Sequence, residues 1–182
     1  MHDPTPSAAP VPAARPPQAV ATEPVLRRAA ALADDAEGTV AGEVEALIVG
    51  GGACAQVAAL ALRAAGREVL MLERDAAPRG STALSSGFIP AAGTRAQAAQ
   101  GIHDTVAGFA EDIQAKAQGQ AAPHLVQAYA AASGPAVDAL AAHGLRFEVL
   151  DSFLYPGHRE HRIHTLPERT GAALMAALAA AA

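Results

Sequence analysis

The 182-residue sequence has little of several features that mark particular classes of protein. It contains one cysteine, Cys54, so no disulfide can form within the chain and a reducing compartment, the cytoplasm, is expected. Its formal net charge is -5 and it has no basic cluster, which argues against a nucleic-acid surface. No apolar run approaches the roughly 20 residues of a membrane span. Tryptophan is absent and aromatic residues make up 3% of the chain, so aliphatic side chains must build the core.

The N-terminal segment is dominated by proline and alanine. Residues 1–24 hold seven of the 13 prolines. Because proline fixes φ and removes a backbone donor, we predict that residues 1–40 are a disordered tail and linker, with room for a short helix at 25–33. The same prolines interrupt any apolar core of a secretory signal peptide.

A strand–turn–helix–strand pattern comes after the tail. The apolar run "VEALIV", residues 44–49, predicts a parallel strand buried on both faces. Three glycines end it, an apolar helix is predicted over 53–65, and Gly66 stands where a left-handed residue closes a helix. "EVLMLE", residues 68–73, predicts a second strand. The pattern is typical of a parallel βαβ unit and therefore of the α/β class.

The glycines have the spacing of a dinucleotide-binding turn. Gly50, Gly52 and Ala55 fit G-x-G-x-x-A, in which small residues permit a tight turn and close approach of a diphosphate to the helix N-terminus. Glu73 ends the second strand 23 positions after Gly50 (73 − 50), near the roughly 20-residue spacing of the acid that binds ribose hydroxyls. An acid here favours FAD or NAD over NADP, although the neighbouring Arg74 weakens that preference. The alternative is a purely structural turn.

The residues after Glu73 resemble a flavoprotein family. "PRGSTALSSGFIPAAGT", residues 78–94, and "YPGHREHRIHTLPERTGAALMAALAAAA", residues 155–182, are similar in order and spacing to fumarate reductases, succinate dehydrogenase flavoprotein subunits and 3-ketosteroid dehydrogenases. FAD is an extended molecule that needs backbone and hydroxyl contacts from its diphosphate to its isoalloxazine ring. A segment of small residues directly after the acid that binds the ribose suits this requirement. The resemblance implies an incomplete Rossmann-like FAD-binding domain with the start of a mostly helical substrate-side insertion.

By this resemblance, twelve residues are expected to contact FAD. Those expected at the diphosphate turn are Gly50, Gly52, Ala53, Cys54 and Ala55, those at the adenosine ribose are Glu73 and Arg74, and those along the path to the flavin are Ser81, Thr82, Ser86, Gly87 and Phe88. Arg79 and Phe88 stand where the family has turn glycines. If either position needs a positive φ, we expect strain there.

The rest of the chain predicts helices and one strand. The predicted units are residues 41–105 for the FAD-binding unit, 106–154 for the helical insertion and 155–182 for a returning loop and helix. Asp104 or Thr105 caps a helix that Gly119 closes, and Gly134-Pro135 separates a helix over 124–132 from another that runs to Gly144. Residues 145–150 predict an antiparallel strand. Thr165-x-x-Glu168 reads as a capping box for a helix that runs to the last residue.

Three histidines recur at intervals of three residues. His158, His161 and His164 would share a face only on a tight 3₁₀ helix, and no carboxylate that would orient them is evident. We therefore predict a solvated loop or the rim of a substrate cleft, with no metal site.

The resemblance implies a FAD-dependent oxidoreductase acting on a small-molecule substrate. The expected chemistry is hydride transfer that reduces or creates a C=C bond next to a carbonyl or carboxylate. The family's proton-handling residues lie beyond residue 182, so no catalytic residue is named, and we expect these residues alone to be inactive and to bind FAD weakly or not at all. An NAD-binding dehydrogenase fragment and a non-catalytic remnant are the alternatives.

Overall fold

A computed structural model describes residues 44–78 and 80–182 of the chain. The predicted tail and linker, residues 1–40, and the turn residue Arg79 lie outside the described residues. The strands are β1 (Ala46–Val49), β2 (Val69–Leu72), β3 (Ile89–Pro90), β4 (Glu148–Val149) and β5 (Ile163–Thr165). The helices are α1 (Ala53–Ala64), α2 (Ser81–Leu84), α3 (Arg95–Ala99), α4 (Val106–Lys116), α5 (Pro123–Ala142) and α6 (Gly171–Ala181). The predicted α/β class is confirmed.

The first unit has the predicted connectivity. β1 and β2 pair in parallel, with Ala46 opposite Val69 and Val49 opposite Leu72, and α1 connects them. Gly66 lies just beyond the end of α1 with φ +73°, so the prediction of a left-handed closing residue is confirmed. Its N–H donates to the carbonyl of Arg63 at 2.9 Å, which satisfies one of the carbonyls that a helix end leaves free.

The prediction that β1 is buried on both faces is wrong. Its residues alternate between half-buried and exposed, and the exposed fractions are 56% for Leu47 and 82% for Val49. In the described part of the chain, α1 is the helix that packs against both parallel strands. A continuous apolar run does not show whether other elements pack on one face of the strand or on both. The burial of the second face therefore could not be predicted from the residues of the strand alone.

A second, antiparallel sheet lies outside the parallel pair. Its strand order is β3–β5–β4, so β5 is central, with His164 opposite both Ile89 and Val149. The antiparallel strand predicted within residues 145–150 is confirmed as β4. β3 and β5 were not predicted, because two or three residues are too few for a recognisable alternation.

The helical hairpin corrects one prediction. Thr105 caps α4 as predicted, accepting from the N–H of Gly108 at 3.0 Å. The predicted break at Gly134-Pro135 is wrong, because α5 continues through both residues. A Cβ on Gly134 would collide with the carbonyl oxygen of Ala92, so the helix packs directly on that backbone. Contacts of this kind outweigh the cost of about 3 kcal/mol that an internal proline imposes.

The cap of the last helix also differs from the prediction. Thr165 belongs to β5, where it lies opposite Glu148, so it cannot start a helix. Thr170 is the residue that caps α6, and its hydroxyl accepts from the N–H of Ala173 at 3.1 Å. The capping-box pattern at Thr165 did not reveal that this residue pairs in a sheet, so the predicted start of the helix was five residues too early.

The main core forms around α6. Its members are aliphatic, as the scarcity of aromatic residues requires, and they are Leu60, Leu140, Leu145, Leu166, Leu174, Met175, Leu178 and Ala182. They come from α1, α5, α6 and the segments beside β4 and β5, so α6 joins the parallel unit to the rest of the described chain.

A fully buried arginine ties the second sheet to the start of α4. Nε and Nη2 of Arg162 each donate to a carboxylate oxygen of Asp104 at 2.9 Å. Nη1 lies 2.8 Å from Oδ2 of Asp112, which adds a second ion pair to the buried cation. The guanidinium carbon lies 4.6 Å from the centre of the Phe109 ring. A charge this deeply buried is tolerable only with such partners.

Replacing Arg162 should therefore be costly. In Arg162→Met the carboxylates of Asp104 and Asp112 lose their buried cation, and we expect the free energy of unfolding to fall by about 3–5 kcal/mol. Urea denaturation followed by circular dichroism measures the change. Arg67→Met is the control, because Arg67 pairs with Glu45 at the surface and such pairs contribute about 1 kcal/mol or less. Equal losses in the two variants would contradict the role given to Arg162.

Candidate functional site

The three glycines between β1 and α1 each meet a different constraint. Gly50 has φ +92°, a conformation that other residues rarely adopt. A Cβ on Gly51 would lie 3.0 Å from both Oε2 of Glu73 and Cγ of Pro78, so a side chain here would have to displace these two neighbours. Gly52 has φ −66°, and a Cβ there would meet no atom of residues 44–78 or 80–182 within 4 Å. The face of Gly52 is open.

The start of α1 offers free hydrogen-bond donors. Gly52 is the N-cap residue and supplies no side-chain cap, and the first helical bond runs from the N–H of Gln56 to the carbonyl of Gly52 at 3.0 Å. Among residues 44–78 and 80–182, no acceptor pairs with the N–H groups of residues 52–55. These donors and the positive end of the helix dipole form a site suited to an anion.

A cavity of about 240 Å³ adjoins these donors. It lies between the start of α1, the short helix α2 and α6. Its lining residues are Gly52, Ala53, Cys54, Gly80, Ser81, Thr82, Ala83 and Met175. Five of the twelve residues expected to contact FAD are in this set, although α1 and α2 are separated in the sequence by a whole strand.

Glu73 lies on the other side of the glycine turn. Its Oε2 accepts from the N–H of Gly51 at 2.6 Å, and its Oε1 accepts from the N–H of Asp75 at 3.0 Å. The backbone hydrogen bonds from Asp75 and then Gly51 hold the pKa of the Glu73 carboxyl below its usual value. The side chain is therefore a carboxylate at neutral pH, and each oxygen keeps a lone pair for a further donor.

The other residues expected at the site lie outside the cavity lining. Gly50 and Ala55 belong to the turn and to α1, while Arg74 is turned to solvent and pairs with Asp75 at 3.3 Å. The segment 86–88 runs past the start of α6, where Gly87 has φ +68° and a Cβ on it would lie 2.7 Å from the carbonyl oxygen of Thr170. Phe88 does not have a positive φ, so the strain considered for that position does not arise.

Several residues around the site were not selected from the sequence. Gly80, Ala83 and Met175 line the cavity, and Gln56 donates to the carbonyl of Gly51 at 2.9 Å. Glycine, alanine and methionine carry no recognisable signal at such positions. Gln56 did carry one, since it is one of only two polar residues between Ala53 and Ala65.

The three histidines do not come together. In the described part of the chain, no group of three or more His, Cys, Asp or Glu side chains is arranged to hold a metal ion. The prediction of a solvated loop is wrong for His164, which is fully buried in β5. Its Nδ1 lies 3.0 Å from the carbonyl oxygen of Arg162 and its Nε2 lies 2.8 Å from Oγ1 of Thr94. Because a carbonyl only accepts, Nδ1 carries the proton and the Thr94 hydroxyl donates to Nε2.

Comparisons with known proteins show the family to which the chain belongs. Residues 45–182 match the FAD binding domain family, so the chain belongs to that family. It is 31% identical over 127 residues to a fumarate reductase of Schizosaccharomyces pombe, covering 69% of this chain and 24% of the relative. The open conformation of a flavocytochrome c3 fumarate reductase superposes with a TM-score of 0.68 at 28% identity, covering 76% of this chain and 24% of that one.

A more distant structure shares the fold. The 3-ketosteroid-Δ4-(5α)-dehydrogenase of Rhodococcus jostii superposes with a TM-score of 0.62 at 24% identity, covering 79% of this chain and 37% of that one. The chain thus spans about a quarter of the length of the fumarate reductases it matches.

None of the helices within residues 44–78 and 80–182 has the length and apolar character needed to cross a membrane.

The burial of His164 predicts a pH dependence of stability. Burial lowers the pKa of His164, so the unfolded chain takes up a proton more readily than the folded one. The stability that neutral His164 provides is complete above the unfolded pKa of about 6.5 and falls as the pH drops below it. Between pH 7.5 and 5.5 the wild type should lose about 2–4 °C more in Tm than His164→Gln.

The exposed His124 is the control, and His124→Gln should behave like the wild type. If Tm falls by the same amount with pH in the wild type and in His164→Gln, the pH dependence does not come from His164.

Proposed function

We propose that the cavity between α1, α2 and α6 binds FAD and that the whole protein is a flavin-dependent oxidoreductase. The observation that carries the proposal is the set of N–H groups at the start of α1 that have no partner among the described residues, because Gly52, Ala53 and Cys54, which carry three of them, line this cavity. The family of the chain specifies FAD as the cofactor. The residues that would hold it belong to α1, α2 and α6 and to the end of β2.

The diphosphate of FAD suits the start of α1. Gly52 leaves its face open, and the N–H groups of residues 52–55 can donate to phosphate oxygens without first losing a protein partner. The small side chains of Ala53 and Cys54 let a ligand approach the backbone of the first turn. In this arrangement the positive end of the helix dipole also stabilises the negative charge of the diphosphate.

Glu73 suits the adenosine ribose. Its carboxylate is oriented by the two backbone N–H groups of Gly51 and Asp75 and remains ionised, so it can accept from ribose hydroxyls. Arg74 pairs with Asp75 and is 90% exposed, so its charge is not directed at the turn. These contacts support an unphosphorylated ribose, as in FAD.

The path to the flavin would run along α2. Ser81 and Thr82 line the cavity and can donate from their hydroxyls, while the segment 86–88 continues along the start of α6. Met175 of α6 adds an apolar side chain to the cavity lining. We propose that Ser86, Gly87 and Phe88 contact the part of FAD nearer its ring.

When bound, FAD supplies hydride-transfer chemistry, and we propose a small-molecule substrate in which a C=C bond next to a carbonyl or carboxylate is reduced or created. The relatives named fumarate reductase and ketosteroid dehydrogenase support this class of reaction. The role proposed for residues 44–182 is to bind and orient the cofactor, with residues 106–154 as the start of a substrate-side insertion. A cytoplasmic location also stays a prediction.

Gly52→Ala tests the placement of the diphosphate. The added methyl group meets no atom of the described residues within 4 Å and φ −66° suits alanine, so the Tm of the ligand-free chain should stay within about 1 °C of the wild type. The same methyl group occupies the surface that the diphosphate must approach, and FAD affinity should fall by about tenfold or more. Equilibrium dialysis with FAD up to millimolar concentration measures this, so that weak binding is also detected.

The outcomes separate the alternatives. A lowered FAD affinity with unchanged Tm supports the proposed site. Thermal protection of the wild type by NAD⁺ but not by FAD would favour the NAD-dependent alternative. Protection by neither dinucleotide would favour a remnant without cofactor, and equal FAD affinity of the wild type and Gly52→Ala would place the diphosphate elsewhere.

A further inference from the structure

Gln56 is a buried polar side chain in an otherwise apolar stretch of α1. Its exposed fraction is 4%, and its Nε2 donates to the carbonyl oxygen of Gly51 at 2.9 Å. That carbonyl can only accept, so the amide nitrogen must face it. The Oε1 atom of the same amide is buried and has no hydrogen-bond partner among the described residues. Burying an amide in this way costs stability, and packing alone would favour leucine or methionine at this position.

The amide of Gln56 completes a two-sided restraint on Gly51. The N–H of Gly51 donates to Oε2 of Glu73 at 2.6 Å, while its C=O accepts from Gln56. A Cβ on Gly51 would lie 3.0 Å from atoms of Glu73 and Pro78, so these two side chains lie close against the residue. Both polar groups of one glycine are thus held by side chains that come from different elements.

This restraint determines the direction of the next N–H group. The carbonyl of Gly51 and the N–H of Gly52 belong to the same peptide bond, which is planar and trans, so they point in opposite directions. Gln56 holds the carbonyl toward the buried side of α1. The N–H of Gly52 must then point to the opposite side, and Gly52 lines the cavity with its open face.

We propose that Gln56 is a positioning residue that keeps the Gly51–Gly52 peptide oriented with the N–H of Gly52 toward the cavity. Peptides between glycines reorient easily because glycine accepts both signs of φ. After such a flip, the carbonyl oxygen of Gly51 would face the cavity and repel an anionic ligand. The identity of the ligand, the diphosphate of FAD, rests on the proposed function, whereas the orientation of the peptide does not.

Gln56→Met tests this role, and the chain offers a matched control. Gln114 of α4 has the same arrangement, because its Nε2 donates to the carbonyl of Ala121 at 2.8 Å and its Oε1 is buried without a partner among the described residues. Methionine is apolar and of similar length, so both variants remove one amide–carbonyl hydrogen bond and keep the volume. We expect FAD and ADP affinities to fall about tenfold in Gln56→Met and to stay within about twofold of the wild type in Gln114→Met.

A measurement without ligand separates this proposal from the proposed function. In ¹H–¹⁵N spectra of the ligand-free chain, the Gly52 amide should give one sharp signal in the wild type and in Gln114→Met. In Gln56→Met it should broaden or double as the peptide reorients. A wild type that binds neither FAD nor ADP would leave the proposed site without support from this chain, while the Gly52 signal would still decide the role of Gln56. An unchanged Gly52 signal in Gln56→Met, or FAD affinity equal to that of Gln114→Met, would overturn the proposal.

Discussion

The backbone conformation between β1 and α1 is the constraint on which the candidate site depends. Gly50 turns the chain with φ +92°, Gly51 fits against Glu73 and Pro78 without a side chain, and Gly52 opens α1 with a free face. A bulkier residue at any of these positions would alter the turn or cover the first N–H groups of the helix. Those N–H groups are free to donate to an anion, which is why we propose a ligand site at this turn.

The remaining walls of the cavity depend on how closely α6 approaches α2. A Cβ on Gly171 would collide with the carbonyl oxygen of Thr82, and the N–H of Gly171 donates to the carbonyl of Ser85 at 2.7 Å. This close crossing brings Met175 to the cavity. The helix is in turn held by an aliphatic core, and the buried Arg162 secures the neighbouring sheet to α4. The site thus needs packing contributed by segments far from the glycine turn.

Local patterns predicted the elements whose signals are short-range. β1, α1 and β2 were predicted from apolar runs and glycine spacing, and the cap of α4 was predicted from Thr105. The predictions that were wrong concern features that depend on contacts between distant residues. The continuity of α5 depends on the contact between Gly134 and Ala92, and the burial of His164 depends on Thr94, a residue 70 positions away. No window of neighbouring residues contains such information.

The sequence by itself determined the α/β class, the turn that suits a dinucleotide and the resemblance to FAD-dependent oxidoreductases, because glycine conformation, apolar period and motif spacing are properties of short segments. Only the tertiary structure decided which predicted residues meet at one cavity, that Arg74 turns away from the turn, and that Gln56 holds the carbonyl of Gly51. These outcomes depend on contacts between elements separated along the chain, where packing and the pairing of buried polar groups outweigh local preference.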